Sequence, residues 1–247
     1  MSKDNLAQNR SIQFDNVSHS FAGRQVLDNV SFRVAGGEII CLLGPSGCGK
    51  TTCLRLASGL ENLQSGKIEI NGDEVAGNGV HIPPEKRNVG FLLQDYALFP
   101  HLNLLANVAF GLNHLPKAER NALATDYLAK VGLDHRAQDF PHQLSGGEQQ
   151  RVALVRALAP NPRVMLLDEP FSSLDVLTRS KLRAETRKLL VERGVPTIMV
   201  THDPLEALNV ADRIIILNNG KVVQSGTGEE LRNSTENEFV AALFAAI

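Results

Sequence analysis

Nothing in this 247-residue sequence approaches the roughly 20 consecutive apolar residues that a helix needs to cross a bilayer. The N-terminus, Met1-Ser2-Lys3-Asp4-Asn5, is polar and lacks the apolar centre of a secretion signal, so the chain is expected to stay where it is made. An excess of one charge sign is also missing. The formal net charge is −2, which gives no global basic field of the kind that gathers nucleic acid. Cysteine is scarce: Cys41, Cys48 and Cys53 are odd in number and match neither a disulfide framework nor a zinc spacing. No internal repeat or low-complexity segment is visible, which sets aside a solenoid. What remains is 43% hydrophobic and 21% charged residues, the profile of a globular chain with a sizeable core.

The most informative stretch is Gly44-Pro45-Ser46-Gly47-Cys48-Gly49-Lys50-Thr51. The largely apolar run Glu38-Ile39-Ile40-Cys41-Leu42-Leu43 before it reads as a buried strand, and Thr52-Cys53-Leu54-Arg55-Leu56-Ala57 after it reads as a helix. A strand, a Gly-rich turn ending in Gly-Lys-Thr and a helix make a phosphate-binding P-loop. Glycines let successive backbone N–H groups face an anion, and the helix start adds unpaired N–H groups and the positive end of its dipole. Lys50 supplies a mobile charge for the β- and γ-phosphates of a nucleotide, and Thr51 a hydroxyl for Mg²⁺. Cys48, in an anion-binding loop at a helix start, is expected to have a lowered thiol pKa and to alkylate readily.

In chain order, residues 1–10 read as a loose tail, and residues 11–21 and 26–34 as strands joined at Ala22-Gly23-Arg24. Residues 67–75 and 213–226 read as hairpins turned by Asn71-Gly72 and Asn219-Gly220. Pro83-Pro84-Glu85-Lys86-Arg87 reads as a surface loop, and Val89-Gly90-Phe91-Leu92-Leu93 as a strand ending at Gln94. From about residue 97 to about 160 the period is helical throughout, with Leu123, Tyr127, Leu128 and Val131 on one face. Two further apolar strands end at Asp168-Glu169 and at His202-Asp203, and Pro204 suits a first helical position. The apolar stretch 239–247 reads as a final helix, or as a segment that docks on something else. Apolar strands separated by helices predict an α/β fold with a mainly parallel core sheet; the flanking hairpins predict a smaller antiparallel sheet beside it, and residues 97–160 an inserted helical subdomain.

Ligands of open α/β sheets bind beyond the carboxyl ends of the strands. The P-loop, Gln94, Asp168-Glu169 and His202 all fall at such ends. Asp168 suits Mg²⁺, directly or through water, and Glu169 suits an attacking water, since phosphoryl transfer needs positioning and charge neutralisation above all. Gln94 can offer its carbonyl to the metal, or be a solvated turn residue; His202 can meet a γ-phosphate, or be structural. Phe21, an aromatic before a turn, can pack in the core or stack on a base. Leu144-Ser145-Gly146-Gly147-Glu148 forms either a second anion nest, most economically closing the site of a second chain, or an ordinary helix start with Ser145 as N-cap.

Taken together, these residues resemble the nucleotide-binding subunit of an ATP-binding cassette (ABC) transporter. The P-loop, the Gln94 loop, the signature Leu144-Ser145-Gly146-Gly147-Glu148, the Walker B run through Asp168 and Glu169, the loop Ser172-Ser173-Leu174-Asp175 and His202 occur in the family's order. The resemblance implies a P-loop NTPase domain over residues 11–247 that hydrolyses ATP with Mg²⁺. By position it makes Phe21 the adenine stack, and residues Gly44, Pro45, Ser46, Gly47, Cys48, Gly49, Lys50, Thr51 and Thr52 the phosphate cradle. Thr51, Gln94 and Asp168 become the metal set. Glu169 is implied as the catalytic base, His202 as the γ-phosphate switch, and Gln94 as the sensor of metal and water. Ser145, Gly146, Gly147 and Glu148 are implied to meet the nucleotide of an opposite chain, with Asp175 crossing the dimer. The signature departs from the family in ending with Glu148 where glutamine is commonest, and the dimer-crossing loop has Ser173 where alanine is common.

Gln94-Asp95-Tyr96-Ala97-Leu98-Phe99-Pro100-His101-Leu102 resembles importers serving ferric iron, polyamines, thiamine, molybdate, sulfate and sugars, with ferric iron and polyamine nearest. Many of these carry a C-terminal regulatory domain, and the chain ends where that domain would start. The implied partners are a second such subunit, a membrane permease docking at residues 94–102 and, indirectly, a solute-binding protein, at the cytoplasmic face of the inner membrane. The other readings are an ABC exporter subunit, a non-transport ABC ATPase acting on nucleic acid or ribosomes, and a P-loop kinase. A kinase has no use for the signature, and the non-transport ATPases usually carry coiled-coil inserts or two cassettes.

Overall fold

The computed structural model describes residues 10–172, 174–233 and 237–245. The expected tail at residues 1–9, Ser173 and the last two residues of the apolar C-terminal stretch lie outside them. Strands β1 (Ser11–Phe21) and β2 (Arg24–Ala35) pair as a hairpin, and β3 (Ile39–Leu43) leads to helix α1 (Lys50–Ser58). Next come β4 (Ser65–Ile70), β5 (Asp73–Gly77), β6 (Val80–His81), α2 (Pro84–Arg87) and β7 (Val89–Leu92). Between β7 and β8 (Val164–Asp168) lie only helices, α3 (Leu104–Ala109), α4 (Lys117–Lys130) and α5 (Gly146–Leu158), with short 3₁₀ turns. The chain continues with α6 (Val176–Arg193), β9 (Thr197–Thr201), α7 (Pro204–Val210), β10 (Arg213–Asn218), β11 (Lys221–Gly226), α8 (Gly228–Arg232) and α9 (Glu238–Phe244). Among the described residues no helix is long and apolar enough to cross a membrane.

Two sheets result. One runs β11-β10-β3-β9-β8-β7, parallel from β10 to β7 with β11 antiparallel at its edge. The other is antiparallel, in the order β2-β1-β4-β5-β6. β3 and β9 are buried at every residue, as their continuous apolar runs require of strands covered on both faces. The two-residue period then divides the core. Ile39, Cys41 and Leu43 pack with Val152, Val155 and Leu128 of the helical stretch, while Ile40 and Leu42 pack with Leu54 and Leu56 of α1 and with Phe14 of the second sheet. Helix α1 is therefore held between the two sheets, and its N-terminus is fixed at the end of β3.

The Asn-Gly hairpins form as read. Asn71 and Gly72 have φ of 56° and 82°, and Asn219 and Gly220 have 48° and 76°, the paired positive values of a type I′ turn. The sequence reading anticipates neither the same turn at Asn78-Gly79 nor the two-residue strand β6 after it.

One reading is corrected. Residues 83–87 lie at the surface through Pro84, Glu85 and Lys86, but Pro84–Arg87 is a helical turn rather than a loop, and Arg87 is 0% exposed. Its guanidinium donates to the carbonyls of Leu56 (2.7 Å) and Ala57 (3.0 Å), and to Ile82 (2.6 Å). The first two belong to the last turn of α1, where carbonyls lack i+4 helical partners and Leu56 has otherwise only the Gly59 cap amide. Burial pushes the Arg87 pKa down to about 10. A charged residue in a Pro-rich stretch is thus the C-terminal cap of the helix that begins at Lys50.

Candidate active site

The turn from β3 to α1 wraps on itself before any ligand enters. Gly49 has φ 103°, and a Cβ there would lie 2.7 Å from the Val26 carbonyl, so only glycine fits between β2 and α1. Lys50 is buried, and its ammonium donates to the carbonyls of Gly44 (2.7 Å) and Pro45 (2.9 Å). Two of its three N–H groups hold the loop carbonyls, and the ammonium also lies 3.9 Å from Cys48 Sγ, a weak acceptor. Pro45, Ser46 and Gly47 form the exposed rim. A cleft of about 300 Å³ is lined by Val26, Ser46, Gly47, Gly49, Lys50, Thr51, Thr52 and Glu169. Its Lys50 ammonium and its place at the N-terminus of α1 suit a polyphosphate.

Cys48 departs from expectation. It is 4% exposed, and burial pushes its thiol pKa up, with the nearby Lys50 charge only partly opposing. Desolvation of the thiolate outweighs the favourable field of the loop, so the expected activated thiol is not there. Cys41 and Cys53 are buried deeper, and burial raises both further.

Three strand ends meet at the cleft. The Thr51 hydroxyl lies 3.2 Å from Asp168 Oδ1, joining α1 to the end of β8. Burial raises the Asp168 carboxyl pKa, the Thr51 bond opposing it. A partly desolvated carboxylate beside a hydroxyl is a pair of hard oxygen donors short of positive charge. Among the described residues no cluster of three or more His, Cys, Asp or Glu side chains could hold a metal alone. The pair fits Mg²⁺, which binds through few protein oxygens and completes its shell with phosphate and water. Glu169, next in sequence, has φ 44°, a left-handed value that turns its side chain into the cleft while its N–H bonds the Val200 carbonyl on β9. Its Oε1 lies 3.1 Å from His202 Nδ1, one residue beyond β9.

The remaining predicted residues stand apart from the cleft wall. Gln94 is exposed, two residues beyond β7. Phe21, 42% exposed, ends β1 and touches the His19 ring edge-on at 4.6 Å. Ser145 caps α5, so the ordinary N-cap is present: Ser145 and Glu148 form a reciprocal capping box. Gly146 is exposed and Gly147 buried. The carboxylate of Glu148, expected at a nucleotide, is bonded within its own chain to Ser145 and Arg136. Asp175 is exposed, and its carbonyl accepts from the Arg179 amide. No residue of the signature lines the cleft.

The sequence reading misses several supporting residues. Val26 walls the cleft from β2, Arg179 donates to the Leu174 carbonyl at 2.7 Å, and Arg156 of α5 donates to the carbonyls of Ala97 (2.6 Å) and Tyr96 (3.1 Å) in the loop after Gln94. Tyr96 and Ala97 both have positive φ, so Arg156 fixes an irregular backbone. The partners of Arg156 are 59 and 60 residues away, and no local pattern marks them.

A family model described as ABC transporter matches residues 27–172, more than half of the chain. The chain belongs to the ABC transporter family. Among curated relatives it is 47% identical over 236 residues to the sulfate/thiosulfate import ATP-binding protein CysA of Neisseria meningitidis serogroup A, covering 93% of this chain and 65% of that protein. It is 44% identical over 233 residues to the spermidine/putrescine import ATP-binding protein PotA of Salmonella typhimurium, covering 94% of this chain and 61% of that one. The chain thus spans somewhat less than two thirds of the length of these relatives. A solved dimeric, post-hydrolysis structure of the ATP-binding cassette MJ0796 bound to ADP and Pi superposes with a TM-score of 0.75 at 32% identity, covering 88% of this chain and 98% of that one. This ABC chain therefore has the α/β P-loop NTPase fold expected of it. The ferric-iron preference finds no support in these names, which are sulfate and polyamine importers.

Proposed function

We propose that this chain is the ATP-hydrolysing subunit of an importer, acting as a pair at the cytoplasmic face of the inner membrane. The carrying observation is the cleft itself: a phosphate cradle with Glu169 in its wall and His202 on Glu169 at 3.1 Å. In this reading ATP lies along residues 44–52 with Phe21 stacked on adenine. Thr51 and Asp168, joined by Gln94, would hold Mg²⁺, which supplies charge neutralisation on the β- and γ-phosphates. Glu169 orients the attacking water and accepts its proton, and His202 steadies that carboxylate and meets the γ-phosphate.

The signature lies off its own cleft, so the second half of the site comes from a second chain. Ser145, Gly146 and Gly147 present the start of α5 to the partner's γ-phosphate, and Asp175 crosses beside them. Closure draws the loop at residues 94–102 with the helical subdomain, residues 97–160, toward the core. A permease seated on that loop would then differ in affinity between open and closed pairs, which is what coupling requires. The cargo falls in the group served by the relatives, sulfate or polyamine, delivered by a solute-binding protein that this chain never touches.

The test is to tag the chain in its source cell, solubilise membranes gently and identify what co-purifies. A polytopic permease is the expected result. Recovery of only ribosomal or nucleic-acid partners would overturn transport while leaving the ATPase chemistry standing.

A further inference from the structure

The signature of this chain carries a formal negative charge where an anion is to bind. Glu148 Oε2 accepts from the Ser145 amide at 2.9 Å and from the Ser145 hydroxyl at 2.8 Å. The hydroxyl proton that a phosphate at the start of α5 would take is therefore already given to a carboxylate. A carboxylate accepts more strongly than a neutral amide oxygen, and it repels an incoming phosphate. Among the described residues, Arg136 is the cation paired with this charge. Arg136, in the 3₁₀ turn before the signature, places Nη1 at 2.8 Å from Glu148 Oε1, Nε at 2.7 Å from Asp139, and Nη2 at 3.0 Å from the Gln143 carbonyl. The Ser145 amide above all holds the Glu148 carboxyl below the usual range; burial opposes it, and the Ser145 hydroxyl and Arg136 add smaller lowering effects. Glu148 is thus charged at neutral pH, and the arginine is a counter-ion that it shares with Asp139.

We propose that Arg136 is a positioning residue for the composite ATP site: by pairing with Glu148 it makes a carboxylate signature able to accept the γ-phosphate of a partner chain. This rests on the two-chain reading above. Its chemistry is specific. The guanidinium holds the other carboxylate oxygen and, though shared with Asp139, offsets part of the charge that the phosphate would meet. A glutamine at residue 148 would pose neither problem, so the need for Arg136 should vanish with the charge of Glu148.

The experiment uses the Glu169→Gln chain with saturating ATP and Mg²⁺, and measures the dimer dissociation constant by sedimentation. Arg136→Ala is expected to weaken the dimer about tenfold, and less than about twofold when Glu148→Gln is also present. The defect of Arg136→Ala should shrink in high salt, which screens the exposed charge. ATP binding to the single chain and the melting temperature report whether the fold is kept. If Arg136→Ala does not fold, Arg136→Lys is used. It keeps the charge but not the fork, and should stay within about threefold of the parent if charge is what matters. Equal losses with and without Glu148→Gln would show Arg136 to be a loop brace and overturn the proposal, as would no loss at all. A Glu169→Gln parent that never dimerises would overturn the two-chain reading and this proposal with it. A dimerising parent with no coupling between residues 136 and 148 would sink the proposal alone.

Discussion

Glu169 Oε1 and His202 Nδ1 stand 3.1 Å apart, and that contact joins the ends of two neighbouring parallel strands, β8 and β9, at the wall of the phosphate cleft. Glu169 is largely shielded, while the histidine side chain is 58% exposed, so one group faces the cleft and the other faces solvent or a partner. His202→Ala should lower ATP turnover about 10²-fold or more and leave ATP affinity within a few-fold. Phosphate release and nucleotide titration check the two halves. Unchanged turnover would remove His202 from the site.

Lys50 holds the loop carbonyls and makes only a weak 3.9 Å contact to Cys48 Sγ, which an incoming phosphate would displace. Lys50→Ala removes a charge-assisted bond worth about 2 kcal/mol, so ATP affinity should fall at least thirtyfold. Near-normal binding in a calorimetric titration would refute the cradle.

The Cys48 thiol is raised above the ordinary cysteine range by burial. The thiolate is the reacting form, so a raised pKa leaves less of it at pH 7 than in an exposed cysteine. Alkylation by iodoacetamide should therefore be slower than that of a free cysteine peptide at pH 7, and should keep climbing with pH after the peptide has levelled off. Mass spectrometry of the modified peptide reads both. Faster modification at pH 7 would contradict the buried geometry.

Arg87 closes the last turn of α1 from a distant segment. Arg87→Ala would leave the Ala57 carbonyl without its guanidinium donor and the Leu56 carbonyl with only the Gly59 amide, in a buried setting, at a cost of about 3 kcal/mol. Denaturant unfolding should show this loss, with a smaller fall in ATP affinity because the far end of α1 carries Lys50 and Thr51. A loss below about 1 kcal/mol would mean that water replaces the guanidinium.

The parts legible in the sequence were those with local causes. β3, β8 and β9 announce themselves as apolar runs because strands covered on both faces cannot alternate. Asn71-Gly72 and Asn219-Gly220 mark hairpins because few residues tolerate paired positive φ. The convergence of the P-loop, Asp168, Glu169 and His202 followed from their places at strand ends. The misreadings have non-local causes. Arg87 looked like a loop charge because its partners lie 30 and 31 residues away. Cys48 looked activated because the loop's field is readable while its burial is not. Glu148 looked free for a ligand because Arg136, 12 residues earlier, carries no motif.

The most direct measurement of the central claim is sedimentation of the Glu169→Gln chain with and without ATP and Mg²⁺. The account predicts a monomer that becomes a dimer when ATP is added, with turnover lost and ATP binding kept, because closure needs the nucleotide and reopening needs its hydrolysis. A chain that binds ATP yet stays monomeric at saturating nucleotide, alone and with its permease, would contradict the composite site.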